Sequence, residues 1–187
     1  MVEPCMPIIS LQNLRTGRVC KMNYHDIKHF DILNGEGVRV SLWVSGCKCQ
    51  CAGCHNPQTW DFDGGILFDT TALNELFQAL DKPYIQGLTL TGGNPIDNGP
   101  EVLAICREVK EKFPTKDIWL YSGYTFEEIK NKAVGEFILE YVDVLVDGPY
   151  IEEQRDITLS FRGSKNQRLI DVKETFKQGQ IIQYKIN

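Results

Sequence analysis

Four of the seven cysteines, Cys47, Cys49, Cys51 and Cys54, fall within eight positions of the sequence. Three residues separate Cys47 from Cys51, and two separate Cys51 from Cys54. Thiolates are the usual protein ligands of iron–sulfur clusters. Three of them on one tight loop can hold three irons of a cubane and leave the fourth iron open to chelate a small molecule. A zinc-binding interaction module without catalysis is the competing reading. Structural zinc usually draws two separated ligand pairs that converge from two directions, and no second pair follows here. A disulfide framework does not suit a chain of this length with an odd number of cysteines.

The loop needs elements to present it. Residues 38–44 alternate apolar and polar and then turn fully apolar, as a strand entering a core does, and they run directly into the cysteines. Asn34-Gly35-Glu36-Gly37 before them is turn chemistry. Asp69 or Thr70 can cap a helix with Leu73, Leu76, Phe77 and Leu80 on one face. Residues 87–91 read as a strand that ends in Gly92-Gly93-Asn94-Pro95. Pro100 opens a second helix, in which Cys106 is a small core residue. Residues 118–121 form a strand, Thr125 and Glu128 make a capping box for a third helix, and residues 142–146 form another strand ended by Asp147-Gly148. Helices between strands imply parallel crossovers. Residues 162–187 read as a polar loop followed by a small hairpin around Lys177-Gln178-Gly179-Gln180.

Ligands in parallel α/β architectures sit at the carboxyl ends of strands. The cysteine loop, Gly92-Gly93, Ser122-Gly123-Tyr124 and Asp147-Gly148 each follow a strand. Their convergence predicts one site. Gly92 and Gly93 let backbone approach a bound amino acid closely, and Asn94 can offer an amide oxygen to an ammonium group. Asp147 has two readings of equal weight, a ligand to a ribose hydroxyl or ion and a structural strand end. Tyr121 and Tyr124 can line the site, although aromatic residues on strands more often pack in cores. His25 and His29 are expected to be solvated.

The 187 residues suggest one domain with a real core, and 42% apolar with 24% charged residues is the composition of an ordinary soluble protein. A net charge of −5 leaves no basic footprint for nucleic acid. No apolar run approaches the length of a membrane span, and no secretory leader is evident. These features predict a cytoplasmic protein with reduced thiols. Residues 1–21 show no sustained periodicity and carry Cys5 and Cys20 without spacing partners. They are expected to form a poorly ordered extension, with residues 22–187 as the functional domain.

The cysteine spacing followed by the ring of His55 resembles the signature of radical S-adenosylmethionine enzymes. More of the chain resembles one family, the activating proteins of anaerobic (class III) ribonucleoside-triphosphate reductase. The resemblance is carried by Met22-Asn23-Tyr24-His25, Val44-Ser45-Gly46-Cys47, Cys51-Ala52-Gly53-Cys54-His55-Asn56, Gly92-Gly93-Asn94-Pro95, Ser122-Gly123-Tyr124, Val144-Leu145-Val146-Asp147-Gly148 and Arg162-Gly163-Ser164-Lys165-Asn166-Gln167. The family usually has histidine where this chain has Cys49, and an acidic residue where it has Asn94.

The resemblance implies an α/β fold, an incomplete (β/α) barrel with a mostly parallel sheet, too short for eight units. It implies that Cys47, Cys51 and Cys54 bind a 4Fe-4S cluster, and that Gly53, Cys54, His55, Gly92, Gly93 and Asn94 contact S-adenosylmethionine. It implies reductive cleavage of that cofactor to a 5′-deoxyadenosyl radical, which takes a hydrogen from a glycine of the glycyl-radical subunit of the reductase. Reduced flavodoxin or an equivalent is the implied electron donor. Activation of another glycyl-radical enzyme, or maturation of a small molecule, would use the same cleavage chemistry. Cys49 is expected beside the cluster, because a fourth thiolate would occupy the iron that must bind the cofactor.

Overall fold

The computed structural model describes residues 22–186. The expected extension, residues 1–21 with Cys5 and Cys20, lies outside the described residues. One seven-stranded sheet organises the rest, in the order β3-β1-β2-β4-β5-β6-β7. Its strands are β1 (Asn23–Asp31), β2 (Arg39–Val44), β3 (Ile66–Leu67), β4 (Gly87–Gly92), β5 (Asp117–Tyr121), β6 (Val144–Asp147) and β7 (Arg168–Asp171). The helices are α1 (Thr70–Leu80), α2 (Gly99–Lys112), α3 (Phe126–Lys130), α4 (Gly135–Leu139) and α5 (Val172–Gln178).

The mixed α/β class is as expected, but the sheet is parallel only in its middle. β2, β4, β5 and β6 pair in parallel, whereas β1 is antiparallel to both β2 and β3, and β7 is antiparallel to β6. β1 escaped the sequence reading because its burial is broken and largely polar. It flanks the central sheet, so it needs no continuous apolar run. Asp69 accepts from the backbone N–H groups of Thr71 and Ala72 at the start of α1, and the Thr125–Glu128 capping box is formed. The third helical segment breaks into α3 and α4, because Lys132 N–H bonds to the Ile129 carbonyl three residues back and tightens the turn. The expected hairpin at residues 177–180 is instead the end of α5. Asp171 accepts from Glu174 N–H at its start, Val172 and Thr175 are buried one turn apart, and Gly179 closes it.

Alternation along the strands divides the molecule into two environments. Val40, Leu42, Val44, Leu88, Leu90, Ile118, Leu120, Leu145 and Ile170 belong to the large core shared with the helices. The alternate residues Trp119, Val144, Val146 and Leu169 form a second, smaller cluster with Tyr121, Phe161 and Tyr184. Arg39 is fully buried beside it. Its guanidinium donates to Thr89 Oγ1 (2.7 Å), Leu88 O (2.9 Å), Glu36 O (3.1 Å) and the carboxylate of Asp117, and it packs over the Trp119 ring. A buried cation persists only when it is paired in this way. Among the described residues no helix is long and apolar enough to cross a membrane.

Asp143 ties the end of α2 to β5 and α5. Its carboxylate accepts from Lys110 Nζ (2.7 Å), Ile118 N–H (2.7 Å) and Lys173 Nζ. Burial pushes the carboxyl up, but the two lysines and the amide outweigh it and hold it below the ordinary value. A depressed carboxyl stabilises the fold above its unfolded pKa of about 3.9, and that contribution is lost as pH falls through the folded value. Asp143→Asn should therefore lower the unfolding free energy at pH 7 by about 1–3 kcal/mol. In thermal unfolding compared across pH, the gap between wild type and variant should close below about pH 4.

Candidate functional site

The cysteine loop leaves the C-terminal end of β2 and is stitched to its surroundings by backbone. Gly46 N–H donates to Thr59 O (2.8 Å) and Cys47 N–H to Trp60 O (3.0 Å). On the other side Gly93 N–H donates to Val44 O and Asn94 N–H to Gly46 O, both at 2.8 Å. Asn98 Nδ2 donates to Ser45 O (2.8 Å), and Lys48 N–H to Asp97 Oδ2 (2.9 Å). The loops after β2 and β4 thus run against each other with no side chain between them. A Cβ at Gly93 would collide with the carbonyl oxygens of Gly46 and Thr59. Gly53, with φ of 72°, turns the chain so that Cys54 N–H reaches Cys51 O (3.1 Å).

These loops border a cavity of about 400 Å³. Cys47, Cys49, Cys51, Cys54 and His55 line it together with Gly92, Gly93 and Asn94. Gly53 is not in the lining; it acts through the turn. Ser122, Gly123 and Gly148 complete the convergence of post-strand loops expected from the sequence, and Tyr121 lines the cavity as well. Tyr124 does not. Its hydroxyl donates to Asp97 Oδ1 (2.9 Å), so Asp97 links the loop after β5 to the cysteine loop.

Asp147 resolves to its structural reading. It is buried, accepts from Phe126 N–H (2.7 Å), and is paired with Arg168. His29 bonds the Glu75 carboxylate at the surface (2.7 Å). His25 departs from expectation: its Nε2 is buried without a hydrogen-bond partner.

The four thiols differ. A hydrogen bond from Cys49 draws the Cys47 thiol below its ordinary value, against the effect of burial, and the same contact with burial pushes Cys49 up. Burial raises Cys51. Cys54 Sγ accepts from Asn56 N–H (3.4 Å), and the His55 ring packs on Tyr150 with centroids 4.9 Å apart. Among the described residues no three His, Cys, Asp or Glu side chains are grouped to hold one metal ion. Each cysteine of a cubane site binds its own iron, and Cys47, Cys51 and Cys54 border one cavity, which fits that demand.

Cys49 and Asn94 touch each other. Asn94 Nδ2 lies 3.5 Å from Cys49 Sγ. Asn94 Oδ1 already accepts from Ile96 N–H (3.3 Å) and Ser122 Oγ (3.1 Å). Its amide oxygen is thus engaged within the protein. Sequence reasoning missed Trp43, Trp60 and Phe161 as cavity residues. It quoted Arg162 only as part of a motif. Single aromatic residues on a strand or loop carry no spacing signal by which they could have been found.

Comparison with known proteins is consistent with this geometry. The family described as "4Fe-4S single cluster domain" matches residues 33–170. The chain is 47% identical over 150 residues to the anaerobic ribonucleoside-triphosphate reductase-activating protein of Enterobacteria phage T4, covering 79% of this chain and 93% of the relative. It is 42% identical to the protein of that name from Haemophilus influenzae, and 37% identical to the one from Escherichia coli (strain K12), covering 78% of this chain and 96% of each relative.

Because the approach at Gly93 is backbone on backbone, neither side can yield by rotating a side chain. Gly93→Ala should lower stability by about 1–3 kcal/mol. It should also displace the cysteine loop, measured as reduced iron and sulfide retention after anoxic reconstitution and gel filtration. Iron content equal to wild type would contradict this coupling between the two loops.

Proposed function

The chain belongs to the family of anaerobic ribonucleoside-triphosphate reductase-activating proteins, and from that premise we propose that it generates a glycyl radical on such a reductase by reductive cleavage of S-adenosylmethionine at a 4Fe-4S cluster. One observation carries this reading. Cys47, Cys51 and Cys54 share a cavity with the Gly92-Gly93 turn at the C-terminal ends of parallel strands. When bound, the cluster and S-adenosylmethionine supply the one-electron chemistry and the hydrogen-abstracting radical.

The protein's part is to hold, orient and exclude. Cys47, Cys51 and Cys54 each provide one thiolate, and Cys49 stays off the metal against Asn94 and Gly123. Gly53 sets the turn that presents Cys54. The His55 ring, braced by Tyr150, borders the adenine side. Gly92, Gly93 and Asn94 form the wall at the methionine end. Trp43, Trp60 and Phe161 supply aromatic surface that limits water in the cavity. The sheet acts as an incomplete (β/α) barrel, and its open side admits the glycine-bearing loop of the reductase. Reduced flavodoxin or an equivalent donates the electron in the cytoplasm. Residues 1–21 are an extension dispensable for this chemistry, and residues 22–187 are the activase domain.

Anoxically reconstituted protein with dithionite should convert S-adenosylmethionine to 5′-deoxyadenosine and methionine. Absence of both products from protein with full iron and sulfide would defeat the reading. With the reductase present, a glycyl radical should appear by electron paramagnetic resonance.

Serine at Cys47, Cys51 or Cys54 should abolish iron retention and cleavage together. Cys49→Ser should keep the iron content and most of the cleavage. A Cys49 variant that loses its cluster while Cys51→Ser keeps one would overturn the ligand assignment.

A further inference from the structure

The segment from Arg162 to Gln167 has no role in the chemistry described so far, yet it is a built structure beside the cavity. Phe161 sits at φ of 58°, a left-handed conformation that a bulky residue adopts only under constraint. Gln167 is the hub of the loop. Its Oε1 accepts from the backbone N–H groups of Gly163 (2.8 Å) and Ser164 (3.2 Å), and its Nε2 donates to Gly148 O (3.1 Å). Asn166 Nδ2 donates to Pro149 O (2.7 Å). These bonds clamp the loop to the end of β6, with Phe161, Arg162, Gly163 and Gln167 along the cavity wall.

Arg162 is the one side chain with a fixed charge among the described residues lining the cavity. Its Nη1 donates weakly to Gln167 O (3.3 Å), whereas its Nε is buried and has no partner. A buried charged donor left unsatisfied is costly, and a native structure retains one only with a reason. Three other residues that line the cavity hold a buried polar atom without a partner, Trp43 and Trp60 at Nε1 and Tyr121 at Oη. The two indoles only donate, and the phenol can donate. The lone fixed cation among the described lining residues calls for an anionic group in the occupant.

On the reading proposed above, the occupant is S-adenosylmethionine. Its sulfonium and ammonium are cations that a guanidinium repels, and its carboxylate is its sole anion. We propose that Arg162 binds the carboxylate of S-adenosylmethionine through its guanidinium, with Gln167 as the positioning residue that clamps the loop carrying it. Arginine suits the task because its planar fork can meet both carboxylate oxygens, or can hold one while the other is engaged elsewhere.

The experiment is anoxic equilibrium binding to the cluster-loaded full chain without reductant, using two ligands. One is S-adenosylmethionine, and the other is decarboxylated S-adenosylmethionine, which lacks only the carboxylate. Arg162→Gln should weaken S-adenosylmethionine on the order of 10- to 100-fold and leave the decarboxylated compound unchanged. Gln167→Ala should shift the same ligand selectively and by less. Arg162→Lys keeps the charge without the fork, and should retain part of the preference for the carboxylate. If Arg162→Gln does not hold its cluster, the lysine variant carries the test.

Equal weakening of both ligands, or of neither, overturns the proposal. So does an Arg162→Gln variant whose loss falls on reductase binding alone, because the guanidinium would then serve a carboxylate of the partner. Wild-type protein that binds and cleaves no S-adenosylmethionine would instead refute the parent reading. The two failures are therefore distinguishable.

Discussion

The hydrogen bond from Asn94 N–H to Gly46 O, with its neighbour from Gly93 N–H to Val44 O, is the contact on which the site depends. These bonds continue the parallel β2–β4 ladder beyond its last strand pair, Val44 and Gly92. They carry the order of a sheet into a loop that would otherwise be free to move. Three thiolates can serve one cluster only if the loop between them has a fixed shape, and eight residues, four of them cysteine, have little intrinsic shape of their own. The remaining bonds to that loop, from Asn98, Asp97, Thr59 and Trp60, all act on backbone atoms.

The sheet does a second job by separating two chemistries. Its helix-bearing face is closed with aliphatic side chains and needs no polar partners. The opposite face holds Arg39, Ser41, Thr89 and Thr91, all buried, and above them the cavity. Arg39 is satisfied entirely from within, by Thr89, Asp117 and two carbonyls, so its charge is spent on the fold. Arg162 is the contrasting case on the cavity wall, held in place by its loop yet short of a partner at Nε. The two arginines differ in this count of partners.

Cys49 and Asn94 form one physical feature. They are far apart in sequence but 3.5 Å apart in space. A Cβ on Gly123 would lie only 2.6 Å from Cys49 Sγ, so the thiol fills the space against that backbone. Asn94 brings no charge to the cavity wall, and Cys49 is a compact neighbour that accepts from its amide. The pair is neutral and internally bonded, which leaves Arg162 as the fixed charge of the described cavity wall.

Much of this protein was legible in the amino-acid order itself. The cysteine spacing, the strand feeding it, the Gly92-Gly93 turn, the caps at Asp69 and Thr125 and the α/β class all rest on local rules, in which each residue acts on neighbours a few positions away. What needed the tertiary structure was everything set by residues distant in sequence. β1 is a strand because β2 and β3 pair with it, although its own pattern is mostly polar. α5 replaced the expected hairpin because β7 ends on Asp171, whose side chain caps the next turn. Asp147 became a structural anchor once Arg168 arrived from β7. The unpartnered donors of Trp43, Trp60, Tyr121 and Arg162 could be recognised only when every other candidate partner had a position. A hydrogen-bond vacancy belongs to the packed molecule, and no stretch of sequence contains it.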